Sequence, residues 1–117
     1  MKKLYVVGIG PGSIENMTLK AYNVIKECDV IVGYTKYLDM IKEIIEGNAH
    51  YSTGMRSEEE RCRLAIKLAK EKDVAIISTG DAGIYGMAGL ILELCNEEEI
   101  KNVVIVPGIT ASSAAGS

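Results

Sequence analysis

The sequence has little that could hold a metal ion or form disulfide bonds, since its 117 residues include one histidine and three cysteines. Cys28, Cys62 and Cys95 lie far apart, and none belongs to a CxxC motif. An odd number of widely spaced cysteines argues against a disulfide framework, and a single histidine leaves too few ligands for a zinc site. We therefore expect no bound metal and buried free thiols, as is typical of a protein in a reducing cytoplasm.

The chain also lacks a surplus of basic residues and a long apolar run. Its net charge is -3 at pH 7, and the acidic residues are spread over predicted helices, so no basic stripe for nucleic acid is present. Glycines and a proline interrupt residues 1–12 before a signal-peptide core is reached. No apolar segment is long enough to cross a bilayer. We expect neither nucleic acid nor a membrane as a partner.

The chain is long enough, at 48% hydrophobic residues, for one domain with its own core, so residues 1–117 are predicted to form a single domain. Four short apolar runs predict strands buried on both faces, and residues 49–52 predict a weaker fifth strand. Amphipathic segments between them predict helices. This alternation predicts an α/β fold with a five-stranded parallel sheet and helices on both faces. The apolar runs are residues 4–7, 30–32, 74–77 and 103–106, and the helical segments are residues 18–28, 36–46, 57–72 and 84–97.

Two segments carry signals for the start of a helix. Ser57 followed by Glu60 predicts a capping box at the head of the third helix. Thr110 is predicted to cap a last helix after the fifth strand. The stretch 110–117 is rich in small residues and has no stop signal, so we expect that helix to continue into a further domain.

Three glycine-rich stretches follow predicted strands: residues 8–12, 78–89 and 107–108. The first has the spacing GxGxG instead of the GxGxxG of dinucleotide-binding folds, and the chain has no GxxxxGK[ST] phosphate loop. Taken alone, the first stretch is equally compatible with a tight turn. Because the carboxyl ends of parallel strands meet at one edge of a sheet, the three stretches together predict a small-molecule site there.

Few side chains in these stretches indicate a specific chemistry. Asp81 is equally compatible with a charged ligand contact and with capping the turn into the next helix. Tyr85 either lines a pocket or packs, and packing is favoured for a lone aromatic residue at a helix start. His50 is interpreted as structural or exposed, because it stands alone beside a predicted strand. These patterns identify no catalytic residue.

Four motifs occur in an order that resembles the amino-terminal domain of the tetrapyrrole methylases, the S-adenosylmethionine-dependent enzymes of cobalamin and sirohaem synthesis. The resemblance covers nearly the whole chain. Ala82 stands where most members have proline. With alanine at this position, the motif is similar to that of the branch that methylates precorrin-3B, or its cobalt-containing counterpart, at C-17. The motifs are GIGPGS at residues 8–13, Val32-Gly33-Tyr34, STGDAGIYGMAG at residues 78–89 and VPGITA at residues 106–111.

The resemblance implies a parallel five-stranded domain with strand order 3-2-4-1-5, a second α/β domain after it, and S-adenosylmethionine held between the two. It implies a precorrin or cobalt-precorrin substrate, methylated at C-17 with contraction of the macrocycle, and it suggests a homodimer. Tyr34, His50 and Asp81 are candidates for a general acid or base. By motif match, the cofactor contacts fall on Pro11, Gly80, Asp81, Ala82, Tyr85, Thr110 and Ala111.

Two other classes of function stay open at this level. One is a non-catalytic small-molecule-binding or regulatory module with the same sheet, which the absence of a second domain would favour. The other is a nucleotide-dependent oxidoreductase, which the loop spacing disfavours. The motifs do not distinguish a substrate that carries cobalt from one that does not.

Overall fold

The computed structural model describes residues 1–10, 17–54 and 57–108, without the side chains of Asp81 and Ala82. Strands and helices alternate along these residues. In chain order the elements are β1 (Leu4–Ile9), α1 (Leu19–Glu27), β2 (Val30–Tyr34), α2 (Thr35–Met40), β3 (Ala49–Thr53), α3 (Glu58–Ala69), β4 (Val74–Thr79), α4 (Asp81–Leu94), α5 (Glu97–Ile100) and β5 (Val103–Val106).

The five strands form one parallel sheet in the order β3-β2-β4-β1-β5. In the register of the sheet, Leu4 pairs with Val74 on one side and with Val103 on the other. The predicted fold class and the strand order implied by the family resemblance are both confirmed. The weak fifth strand is confirmed as β3, and its exposed side chains explain the weak signal, because an edge strand with little burial needs no apolar run.

The sheet separates two apolar cores, as expected for strands buried on both faces. Val74 and Ile76 of β4 face the core that α3 and α4 cover. Ala75 and Ile77 of the same strand face the core that α1 and the segment around α2 cover. This alternation along one strand explains why every residue of the run is apolar.

Several helices begin or end differently from the prediction: α3 ends at Ala69 instead of residue 72, α4 ends at Leu94 instead of residue 97, and α5 is a separate helix that was not predicted. Helix α2 ends at Met40 instead of extending to residue 46. Ile44 and Ile45 lie in the turns that follow and are buried in the core, so the apolar residues have the spacing of a longer helix although the helix has ended. Helix α4 begins at Asp81, three residues earlier than predicted. Most of the glycine-rich stretch 78–89 is therefore helical and is not a loop, although the turn itself is present at Gly80.

The predicted capping box at Ser57 is wrong. Ser57 is the N-cap residue of α3, but its backbone (φ -112°, ψ 31°) lies outside the extended region, and its side chain makes no capping hydrogen bond. A capping box is formed instead at α5, where Asn96 accepts from the Glu99 amide and Glu99 accepts from the Asn96 amide. The cap predicted at Thr110 lies outside the described residues.

The cysteines are free, as predicted, with Cys28 and Cys62 buried and Cys95 partly buried. Burial raises the pKa of the Cys62 thiol to about 11 and that of the Cys28 thiol to about 12. Among the described residues, no group of histidine, cysteine, aspartate or glutamate side chains is arranged to hold a metal ion. None of the helices in this part of the chain is long and apolar enough to span a membrane.

Candidate functional site

The carboxyl ends of β1 and β5 meet in a contact between two glycine backbones. A Cβ atom added at Gly8 would lie 2.8 Å from the backbone nitrogen of Gly108, and one added at Gly108 would lie 3.1 Å from the carbonyl carbon of Gly8. Gly8 therefore has no room for a side chain, and a side chain at Gly108 would require the facing backbone to shift. The first and third glycine-rich stretches are thus brought together at one edge of the sheet, as predicted.

The second stretch reaches the same edge, because β4 lies beside β1 with Gly8 opposite Ser78 and Ile9 opposite Thr79. Gly80 follows with φ 69° and ψ 159°, a conformation that is essentially restricted to glycine. It is the N-cap of α4, and its carbonyl oxygen accepts from the Ile84 amide at 3.0 Å. No described atom lies within 4 Å of a Cβ placed at Gly80, so the space beside this turn is open.

The described part of the predicted cofactor site is consistent with a ligand that approaches backbone. Gly80 presents its backbone to open space at the edge, and the amino-terminal end of α4 follows directly. Tyr85, one turn into that helix, is 64% exposed, so the interpretation that its side chain packs is wrong. The backbone of Asp81 and Ala82 forms the first turn of α4. Pro11, Thr110 and Ala111 lie outside the described residues.

A cleft of about 240 Å³ opens at the same edge, between the first turn of α3 and the first three turns of α4, as far as Leu90. Ser78 and Thr79 at the end of β4 and Gly83 of α4 line it, so it adjoins the turn at Gly80. Its other walls include the charged side chains of Glu58 and Arg61, the ring of Tyr37 and the thioether of Met87.

Arg61 is the functional candidate that the sequence patterns miss. It belongs to the inward-facing stripe of α3, beside Cys62 and Ala65, and only 3% of its surface is exposed. Its Nε donates to Thr53 Oγ1 at 2.7 Å, and its Nη2 donates to the Gly54 carbonyl oxygen at 3.1 Å. These bonds fix the guanidinium at the carboxyl end of β3.

Aromatic side chains complete the surroundings of the guanidinium. The carbon at its centre lies 5.9 Å from the centroid of the Tyr34 ring, within the range of a cation–π interaction. Tyr34 in turn meets Tyr37 edge to face, with ring centroids 5.1 Å apart. Tyr34, one of the residues considered as a general acid or base, therefore lies near the cleft, because it contacts Arg61 and Tyr37, which line it. His50 lines a separate cavity with Asp39 and Lys42, and its Nδ1 lies 3.2 Å from the Asn48 carbonyl oxygen.

The sequence profile described as Tetrapyrrole (Corrin/Porphyrin) Methylases matches residues 3–117. The chain is 51% identical over 116 residues to the cobalamin biosynthesis protein CbiHC of Archaeoglobus fulgidus, with 98% of this chain and 26% of that protein covered. It is 47% identical over 116 residues to a Salmonella typhimurium protein named "Probable cobalt-factor III C(17)-methyltransferase", with 97% and 48% covered. The chain thus spans about half or less of the length of these relatives.

Solved structures show the same architecture. The crystal structure of the methyltransferase CobJ matches with a TM-score of 0.76 and 31% identity, covering 100% of this chain and 52% of that one. The uroporphyrin-III C-methyl transferase of Thermus thermophilus, complexed with S-adenosyl homocysteine, matches with a TM-score of 0.70 and 28% identity, covering 97% and 51%.

Proposed function

The chain belongs to the tetrapyrrole methylase family, and from that premise we propose that the whole protein transfers a methyl group from S-adenosylmethionine to C-17 of a precorrin or cobalt-precorrin, with contraction of the macrocycle, in cobalamin biosynthesis. The name of the Salmonella typhimurium relative, 47% identical to this chain, supports the choice of reaction within the family. The name of CobJ as a methyltransferase supports the reaction type.

One observation carries the cofactor assignment: the backbone at Gly8, Gly80 and Gly108 converges at a single edge of the sheet. Such an edge offers amide and carbonyl groups to a ligand without interposed side chains, which suits an adenosyl group and an amino-acid tail. We propose that Gly80, Asp81, Ala82 and Tyr85 contact the cofactor on one side. Pro11, Thr110 and Ala111 are proposed to contact it on the other.

The transfer step needs positioning more than it needs a strong protein nucleophile. When bound, the cofactor supplies an electrophilic methyl group on a sulfonium sulfur. The residues of this chain hold the reactants in line and keep water from the reacting carbon, which lowers the barrier by reducing the entropy lost in the transition state. The rigid turn at Gly80 and the glycine contact at Gly8 suit that role, because neither has alternative side-chain conformations.

A second α/β domain is proposed to close the cleft from the other side, because this chain covers 48% of the Salmonella typhimurium relative and 52% of CobJ. The exposed ring of Tyr85 supports this arrangement, since it is available to a partner surface or ligand. A homodimer in the cytoplasm is proposed as the working form.

The experiment is a methyl-transfer assay with the full-length protein, S-adenosylmethionine labelled with a deuterated methyl group, and either precorrin-3B or cobalt-factor III. Mass spectrometry of the product is expected to show one labelled methyl group, and NMR is expected to place it at C-17 of a contracted ring. Comparison of the two substrates identifies which form the enzyme accepts. Transfer to another ring carbon, or no transfer to either macrocycle, contradicts the proposed function.

A further inference from the structure

Arg61 is a buried cation without an acidic partner in the described part of the chain. The ion pairs found there join Arg63 to Glu59, Lys70 to Glu99 and Lys101 to Glu98, and none includes Arg61. Moving a charge out of water is costly unless an opposite charge or several hydrogen bonds compensate for it. For Arg61, which is 3% exposed, two hydrogen bonds and the Tyr34 ring offset part of this cost, and no acidic side chain in the described part of the chain adds to them.

The hydrogen bonds of Arg61 leave part of its guanidinium available. Nε and Nη2 each donate one bond, to Thr53 and Gly54, whereas Nη1 donates to no described residue. Every fully buried side-chain nitrogen or oxygen among the described residues has a hydrogen-bond partner. Because Nη1 has no partner there, it is not fully buried, and its N–H donors are accessible from outside the core. Since Arg61 lines the cleft beside the Gly80 turn, the cleft is the space that these donors can reach.

The guanidinium is also held in place before any ligand arrives. Thr53 and Gly54 fix its edge, and the Tyr34 ring lies against its face. A planar guanidinium fixed in this way suits paired hydrogen bonds to a carboxylate, and little side-chain entropy remains to be lost on binding. The cleft has a volume of about 240 Å³, which is enough for one acid arm.

We propose that this cleft is a carboxylate subsite in which Arg61 binds one acetate or propionate arm of the tetrapyrrole and so positions the macrocycle at the Gly80 edge. This inference rests on the proposed function, because it takes a tetrapyrrole as the substrate. The carboxylate of the methionine part of the cofactor offers the same chemistry, and the experiment separates the two sources.

Glu58 gives the subsite a second, independent readout. It lies three residues before Arg61, is exposed, and is the acidic residue among those that line the cleft. Its negative charge opposes an incoming carboxylate, and its exposure weakens this effect by solvent screening. Glu58→Gln leaves Arg61 and its hydrogen bonds intact, so its effect on anion affinity does not depend on the tolerance of the fold to loss of a buried arginine.

The experiment measures binding to the full-length protein of uroporphyrin III, which carries eight carboxylates, of its octamethyl ester, and of S-adenosylhomocysteine. Arg61→Met is expected to weaken uroporphyrin binding at least about tenfold, because a buried charged hydrogen bond is lost. The affinity of Arg61→Lys for uroporphyrin is expected to lie between that of Arg61→Met and that of the wild type. The matched control is Arg63→Met, which removes an exposed charge from the same helix and is expected to leave the affinity unchanged. Glu58→Gln is expected to tighten binding about two- to fivefold.

The ester is expected to bind the wild type and Arg61→Met alike, and S-adenosylhomocysteine is expected to bind all variants alike. Loss of S-adenosylhomocysteine affinity in Arg61→Met, with uroporphyrin affinity kept, assigns the carboxylate to the cofactor and overturns the substrate arm. Equal uroporphyrin affinity in Arg61→Met and the wild type, no binding of uroporphyrin to the wild type, or no gain in Glu58→Gln overturns the subsite. A wild type that binds no S-adenosylhomocysteine instead refutes the proposed function.

Discussion

Gly8 at the end of β1 packs against Gly108 after β5 so closely that a Cβ on Gly8 would lie 2.8 Å from the Gly108 nitrogen. The contact joins backbone to backbone, so it cannot relax by rotation of a side chain. It brings the first and third glycine-rich stretches together, and β1 lies between β5 and β4, the strand that leads into Gly80.

Gly8→Ala is expected to lower the free energy of unfolding by about 1–3 kcal/mol, because the added methyl group overpacks a rigid contact. Urea unfolding of the full-length protein measures the change. The matched control is Gly89→Ala, inside α4, where a Cβ would meet no described atom within 4 Å. That change is expected to stabilise the helix by about 0.5–1 kcal/mol, since alanine replaces glycine in a helix interior. Equal effects of the two substitutions contradict the account of the contact.

Gly80→Ala is expected to cost about 1–3 kcal/mol of stability, because φ 69° with ψ 159° is strained for any residue with a Cβ. Relaxation of that strain moves the start of α4, so a loss of S-adenosylhomocysteine affinity is expected as well. Thermal unfolding and calorimetric titration measure the two effects. Gly47→Ala, an exposed turn position without positive φ, serves as the control and is expected to change stability by less than about 0.5 kcal/mol. A Gly80→Ala protein with the stability and the S-adenosylhomocysteine affinity of the wild type would contradict this account.

Glu99 joins α5 to the end of α3. The hydrogen bond from Lys70, followed by that from the Asn96 backbone, lowers the pKa of the Glu99 carboxyl from its ordinary value of 4.5. A lowered pKa in the folded state adds stability above about pH 4.5 that is lost as the pH falls through the folded value. Glu99→Gln keeps the capping acceptor and loses the ion pair, so we expect a loss of about 1 kcal/mol or less near neutrality, given the half-exposed Lys70. Unfolding measured against pH should show this difference shrink toward acid, and a constant difference contradicts the assignment.

The three thiols are expected to differ in reactivity. Since the thiolate is the reactive form, burial that raises the pKa of Cys62 to about 11 and that of Cys28 to about 12 protects both at about pH 8. Cys95 is partly buried, and burial also raises its pKa, so it is expected to react slowly but first. Alkylation followed by peptide mass spectrometry gives the order. Early labelling of Cys62 in the native protein contradicts its placement in the core.

Much of the fold is predictable from the sequence because parallel strands buried on both faces require unbroken apolar runs, such as residues 74–77. The order of the strands in the sheet could not be predicted from the apolar runs, and it is expected only because of the family resemblance. The start of α4 is mispredicted because the glycines at 80 and 83 suggest a turn that continues to residue 84, whereas the helix begins at Asp81 and is stabilised by packing of Ile84 and Ile91 on the sheet.

Arg61 escapes sequence analysis for a different reason. Its contacts, Tyr34, Thr53 and Gly54, belong to other parts of the chain, and only the fold brings them together. A signal was nevertheless present, because Arg61 occupies a position of α3 where helical spacing predicts a buried apolar residue. A charged residue in an inward-facing stripe is a reason to look for a ligand or a structural role.

The central claim is that the glycine edge at Gly8, Gly80 and Gly108 binds S-adenosylmethionine. Calorimetric titration of the full-length protein with S-adenosylhomocysteine tests it most directly, with NAD as the comparison ligand and Gly80→Ala as the variant. We expect saturable binding of S-adenosylhomocysteine to the wild type, weaker binding to Gly80→Ala, and no binding of NAD. A wild-type protein that gives no heat with S-adenosylhomocysteine while it binds NAD would contradict the account.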